Sequence, residues 1–134
     1  VIARLAYLDT SAYVKLILEE DGHEELRSEL SRWDGYVSSM LLAVEAIRAC
    51  SRYSPDSARD ARAWLEGVSL LPLDDAVLDA ATELAPPTLG TLDALHLATA
   101  LTVREELGAF FTYDQRLFAA AKGQGITVYA FPHL

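Results

Sequence analysis

The stretch LAYLDTSAYVKL, from Leu5 to Leu16, passes in one step from an apolar run to a carboxylate, two hydroxyl side chains and an amphipathic segment. "RLAYLD" has the character of a buried strand, apolar until it meets a polar switch, and the residues from Thr10 to about Leu18 carry helical spacing. Asp9, Thr10 and Ser11 are all good N-cap residues, so local structure alone accounts for an acid at this point. A strand running directly into a helix is also the opening of an α/β unit.

The pattern repeats along the chain. Beyond Gly22, "HEELRSELSRW" keeps helical spacing through Leu26, Leu30 and Trp33. "GYVSS" is short and β-prone, with Ser38 or Ser39 placed to cap "MLLAVEAIRACSRY". Ser54 followed by Pro55 starts a helix ending near Glu66, because proline is tolerated in a helix's first turn. "VSLLPL" reads as a strand, and Asp74 starts a helix through about Leu84. "APPTLGT" is the clearest break, ahead of a helix from about Leu92 to Glu106. "AFFTYD" is a strand ending in a carboxylate. Asp114 or Gln115 begins the next helix, "GQG" closes it, and "ITVYAF" is the last strand. Alternation of this kind predicts an α/β layer fold with a mostly parallel sheet. Such sheets bind ligands outside the carboxyl ends of their strands, near a topological switch point.

Composition narrows the class. The 134 residues, 51% of them hydrophobic, are enough for one domain, 1–134, with a real core. One cysteine, Cys50, excludes an intrachain disulfide and suits a reduced compartment. No apolar run is long enough to span a bilayer, and the opening does not have a signal-peptide layout, so the expected place is cytoplasmic and off the membrane. Twenty acidic against eleven basic side chains give a net charge of −9, the wrong sign for gripping nucleic acid by phosphate neutralisation. A nuclease stays open, because carboxylates that hold divalent cations present a far less negative site.

Asp9 and Asp114 both stand where a predicted strand gives way to a helix, so the sheet brings them to one edge. Glu45 lies inside the apolar "MLLAVEAIRAC", and Asp93 opens the almost wholly apolar "TLDALHLATAL". Each has a local explanation: Glu45 pairing with Arg48, or Asp93 serving its helix's N-terminus. Four together point instead to a shared site. Carboxylates converging in a small volume raise one another's pKa unless a cation offsets the repulsion, and oxygen-only ligands select Mg²⁺ or Mn²⁺. Asp9 and Asp93 are expected as the direct ligands, with Glu45 and Asp114 acting directly or through water. Thr10, Ser11 and Thr112 are placed to orient carboxylates, although capping is the simpler role for Ser11. His96, three residues after Asp93, is read as a satisfied core histidine. Surface pairing is the simpler reading for Arg48 and Arg116.

The ordered set "YLDTSAYVKL", "VEAIRA", "LDALHLATAL" and "FFTYDQRLFAAAKGQGITV" resembles the PIN-domain proteins, and among them the VapC ribonuclease toxins of toxin–antitoxin pairs. The resemblance spans nearly the whole chain in the family's order and spacing. It implies a three-layer α/β/α sandwich around a mostly parallel sheet and a Mg²⁺-dependent endoribonuclease acting on RNA. By motif it places Asp9, Glu45, Asp93 and Asp114 on the catalytic and metal-holding positions, with Thr10 and Thr112 in support. It further implies a homodimer and a VapB-like antitoxin, whose contacts are expected at Tyr13, Leu16, Leu41 and Arg48. The alternatives are a housekeeping PIN nuclease and a non-catalytic binding or signalling domain. A phosphoacceptor domain needs paired acids after the first strand, where this chain has Thr10 and Ser11. A two-aspartate phosphatase fails at Ser11 in the same way.

Overall fold

A computed structural model describes residues 4–130. Five strands form one sheet in the order β3-β2-β1-β4-β5, every neighbouring pair parallel. The strands are β1 (Leu5–Leu8), β2 (Gly35–Ser39), β3 (Val68–Leu71), β4 (Leu107–Phe111) and β5 (Val128–Tyr129). Between them run α1 (Thr10–Ile17), α2 (His23–Leu30), α3 (Leu41–Tyr53), α4 (Pro55–Trp64), α5 (Asp75–Glu83), α6 (Thr91–Leu101) and α7 (Gln115–Gly123). A short 3₁₀ turn, Leu65–Gly67, joins α4 to β3.

Strand alternation builds the layers. Ala6 and Leu8 of β1 and Ala109 and Phe111 of β4 face one side, where Leu16, Leu26, Leu42 and Ala61 pack from α1, α2, α3 and α4. Tyr7 and Phe110 face the other side, where Leu97 and Ala100 of α6 and Leu117 and Ala121 of α7 close over them, with Ala81 of α5 alongside. With helices on both faces the strands are buried twice over, which is why "LAYL" and "LGAFF" read as continuous apolar runs. The predicted three-layer sandwich is correct.

The strand order places the switch point between β1 and β4, since the chain leaves β1 in one direction and returns to its other side at β4. Their register pairs Leu8 with Phe111, so Asp9 and Thr112 emerge side by side at the carboxyl edge. Gly108 has no Cβ for a steric reason: the Trp33 ring lies across it, and a Cβ there would meet Cζ3 at 2.0 Å.

Some predicted boundaries move. The helix expected to reach Glu106 ends at Leu101, where Thr102 turns its hydroxyl back onto the Thr99 carbonyl at 2.6 Å. A β-branched pair, Thr102-Val103, with a hydroxyl that competes for the backbone, explains the stop. Neither Ser38 nor Ser39 is the N-cap of α3. Met40 holds that place without a side-chain cap, because β2 continues through Ser39. Ser38 Oγ instead donates to the Leu8 carbonyl at 2.5 Å, and Ser39 Oγ accepts from the Leu41 amide. "ITVYAF" narrows to Val128–Tyr129, and its Phe131 lies outside the described residues.

Candidate active site

Asp9 is both a helix cap and a site acid. Its Oδ1 accepts from the Ala12 amide at 2.9 Å and from Ser11 Oγ at 2.7 Å, and its Oδ2 accepts from Thr112 Oγ1 at 2.5 Å. Only 3% of it is exposed. Burial pushes its pKa above the usual carboxylate value, against the pull of the Thr112, Ala12 and Ser11 hydrogen bonds. Ser11 is not a cap: its oxygen also accepts from the Tyr113 amide, tying α1 to the loop after β4. Thr112 does the same from the other side, accepting from the Asp114 amide at 3.1 Å.

Glu45, half-buried on α3, puts Oε1 within 2.8 Å of both Thr10 Oγ1 and His96 Nε2. Burial alone would raise its pKa, but these two partners hold it below the ordinary value. The pairing with Arg48 is absent; among the described residues Arg48 is exposed and enters no ion pair, and Glu45 is bridged to His96 instead. Asp93 stands in the first turn of α6. Its carboxyl is pushed up to about 6 by burial, then by the charges of Asp114 and Asp9, with a smaller push from Glu45. Asp114 is exposed and caps α7, its Oδ1 accepting from the Leu117 amide at 2.9 Å.

The fold therefore brings Asp114, Asp9 and Glu45 within electrostatic reach of Asp93, near the β1–β4 switch point. Among the described residues no group of three or more His, Cys, Asp or Glu side chains is placed to hold a metal ion. A hydrated Mg²⁺ or Mn²⁺ asks for less than that, taking one or two carboxylates and keeping several waters, and oxygen donors such as those of Asp9 and Asp93 are the kind these ions take. Thr10 donates to Glu45 and Thr112 donates to Asp9.

The residue that sequence reasoning assigned elsewhere is His96. It is buried and satisfied, as read, but its partner is Glu45. Its position one turn after Asp93 was the available signal. Tyr13 and Leu16 line an apolar cavity of about 320 Å³ together with Leu8, Leu30, Tyr36 and Trp64. Tyr13 is also a core residue, its hydroxyl donating to the Ala61 carbonyl at 2.6 Å. Leu41 and Arg48 lie outside the described lining of this cavity.

A parallel sheet with an acidic carboxyl edge of this composition is what defines a PIN domain, and that family matches residues 6–123, so the chain belongs to it. Within the family its relatives are VapC ribonucleases. Ribonuclease VapC47 of Mycobacterium tuberculosis is 40% identical over 126 residues, covering 90% of this chain and 93% of the relative. Ribonuclease VapC46 of the same organism is 42% identical over 124 residues, covering 92% and 95%. Among solved structures, a toxin–antitoxin complex from Klebsiella pneumoniae superposes with a TM-score of 0.72 at 20% identity, covering 96% of this chain and 99% of its own. Mycobacterium tuberculosis VapC20, a sarcin-ricin loop cleaving toxin, gives 0.71 at 15% identity, covering 86% and 94%. At those identities the structural likeness speaks for the fold.

Proposed function

We propose that the protein is a divalent-metal-dependent endoribonuclease and the toxin of a toxin–antitoxin pair, working in the cytoplasm as a single PIN domain. The observation that carries the chemistry is the coupling of Asp93 to Asp114, Asp9 and Glu45 at the switch point, a knot of negative charge that calls for a cation. The VapC ribonucleases it is similar to supply the substrate class. Asp9 and Asp93 would hold Mg²⁺ or Mn²⁺ directly, with Glu45 and Asp114 binding directly or through water. An ion held there would supply a water of lowered pKa and positive charge to offset that on the scissile phosphate. The chain's own part is orientation: Thr112 and Ser11 fix Asp9, and Thr10 and His96 fix Glu45.

A net charge of −9 and an apolar cavity beside α1 favour a basic, apolar-rich antitoxin segment as the inhibitor. Tyr13 and Leu16 sit at the cavity, and the homodimer implied by the resemblance completes the proposal, with light scattering as its check. Among the described residues no helix is long and apolar enough to cross a membrane. The test is RNA cleavage with Mg²⁺, with EDTA, and in the Asp9→Asn and Asp93→Asn variants. Cleavage should need the metal and fall by orders of magnitude in both variants while they stay folded. Undiminished cleavage in EDTA would exclude the metal; full activity in both variants would exclude the site.

A further inference from the structure

His96 sits in the middle of α6 with 2% of its surface exposed, yet both of its ring nitrogens are committed. Nε2 lies 2.8 Å from Glu45 Oε1 and 3.2 Å from Thr10 Oγ1, and Nδ1 lies 2.8 Å from the Tyr7 hydroxyl. The proton positions follow from the partners. An ionised Glu carboxylate only accepts, so the hydrogen between His96 and Glu45 belongs to Nε2. Ser38 spends its own proton on the Leu8 carbonyl, and the partner that the Tyr7 hydroxyl meets among the described residues is Nδ1, at 2.8 Å, so the Tyr7 proton is assigned there. A ring with N–H at Nε2 and a lone pair at Nδ1 is the neutral Nε2–H tautomer.

Tyr7 is itself closely packed. It is fully buried in β1, stacked on Phe110 at 4.8 Å and set edge-on to His96. The chain of contacts thus runs from the sheet through α6 to α3, and Thr10 of α1 meets it at the same carboxylate oxygen. Among the described residues all of Glu45's hydrogen bonds fall on Oε1 and none on Oε2.

We infer that His96 is a positioning residue: held by Tyr7 as the Nε2–H tautomer, it clamps Oε1 of Glu45 together with Thr10 and leaves Oε2 for the metal or its waters. The inference rests on the metal-site reading of the preceding subsection. Partners of this kind, which orient a ligand without touching the ion, typically matter about 10- to 100-fold in metal affinity or activity.

Two measurements test it. In protein carrying ¹⁵N-labelled histidine, the long-range ¹H–¹⁵N spectrum reports the tautomer, with the His96 signals assigned by their loss in His96→Gln. Expected is a neutral ring with its proton on Nε2; a proton on Nδ1, or an imidazolium, overturns the assignment. Mn²⁺ affinity and RNA cleavage are then compared in His96→Gln, whose amide nitrogen can donate from the same place, and His96→Leu, which fills the space without a donor. The Gln variant should stay near wild type, while the Leu variant should lose roughly 10- to 100-fold in Mn²⁺ affinity and in cleavage. If the Leu variant fails to fold, Tyr7→Phe substitutes for it. That variant keeps the ring and removes only the hydroxyl, and it should lose the single tautomer and weaken Mn²⁺ binding together. A folded Leu or Phe variant that binds Mn²⁺ and cleaves like wild type overturns the inference alone. Wild-type protein that binds no Mn²⁺ removes the metal site, and the inference with it.

Discussion

Asp93 is held at a cost to the folded state. Its carboxyl, ordinarily near 3.8, is raised to about 6, chiefly by burial and then by the neighbouring acids. A carboxyl raised on folding binds its proton more tightly in the native state, so its contribution is best below the unfolded value and declines as pH rises through about 4 to 6. Above that window the protein carries the full cost of a charge that is part-buried and then repelled by its neighbours. Asp93→Asn removes it, and in EDTA at pH 7.5 the variant should gain on the order of 1 kcal/mol, a figure that allows for solvent screening at this part-buried site. The gain should vanish near pH 4. Thermal unfolding at the two pH values checks this, and an unchanged or lower Tm at pH 7.5 would mean that the acids do not strain one another. In the same variant Mg²⁺ should no longer raise Tm, because stabilisation by a ligand requires binding to the native state. An acid that destabilises the empty fold and is needed when it is loaded is the expected signature of a functional position.

At the scale of elements, Trp33 and Gly108 are coupled by space. The indole lies under the Arg4 guanidinium at 4.5 Å, edge-on to Phe111, and across the glycine. Gly108→Ala must displace the ring, and overpacking of this kind costs roughly 1–3 kcal/mol. In a Trp33→Leu background the same change should cost much less, so a double-mutant cycle by urea denaturation reads the coupling directly. Additive losses would show that the ring does not constrain the strand. The elements themselves were legible where one signal dominated. Asp74 and Ser54 were read as helix starts, and both cap their helices through the third amide onward. The serines of β2 were misread, because a hydroxyl before an apolar helix looks the same whether the strand ends ahead of it or runs through it. Only pairing with β3 as far as Leu71 decides that. His96 illustrates the same limit for the site. Its burial followed from its apolar neighbours, but its partner Glu45 is 51 residues away, on another helix. The four acids stand out in the sequence because strand ends and charge in apolar helices are local signals; the hydroxyls and the imidazole that bond Asp9 and Glu45 are joined to them only by the fold.

At the scale of the whole molecule, the proposed control by an antitoxin would divide its work between two features. The acids offer charge, whereas the cavity between α1, α2 and α4 offers apolar area, with Leu16 and Leu30 inside and Trp64 at its edge, 43% exposed under the Arg27 guanidinium. A flexible antitoxin segment must recover the free energy of its own ordering, and buried apolar area is the term large enough to do so. Charge contacts with the acids add blocking of the site and sensitivity to salt. Trp64→Ala should therefore weaken inhibition by a basic, apolar-rich antitoxin peptide by about 10-fold or more, since losing burial of a large side chain is worth about 1.5–3 kcal/mol. Cleavage of RNA without peptide should be unchanged, because the recorded ring contact of Trp64 is with Arg27 and none is with the four acids. Replacing the peptide's arginines by alanine should act differently, removing the competition with Mg²⁺ and the salt dependence while leaving part of the affinity. An inhibition assay across Mg²⁺ and salt concentrations separates the two effects. If Trp64→Ala left inhibition intact while the alanine peptide lost it entirely, the acids alone would be the anchor and the cavity would have no part in control.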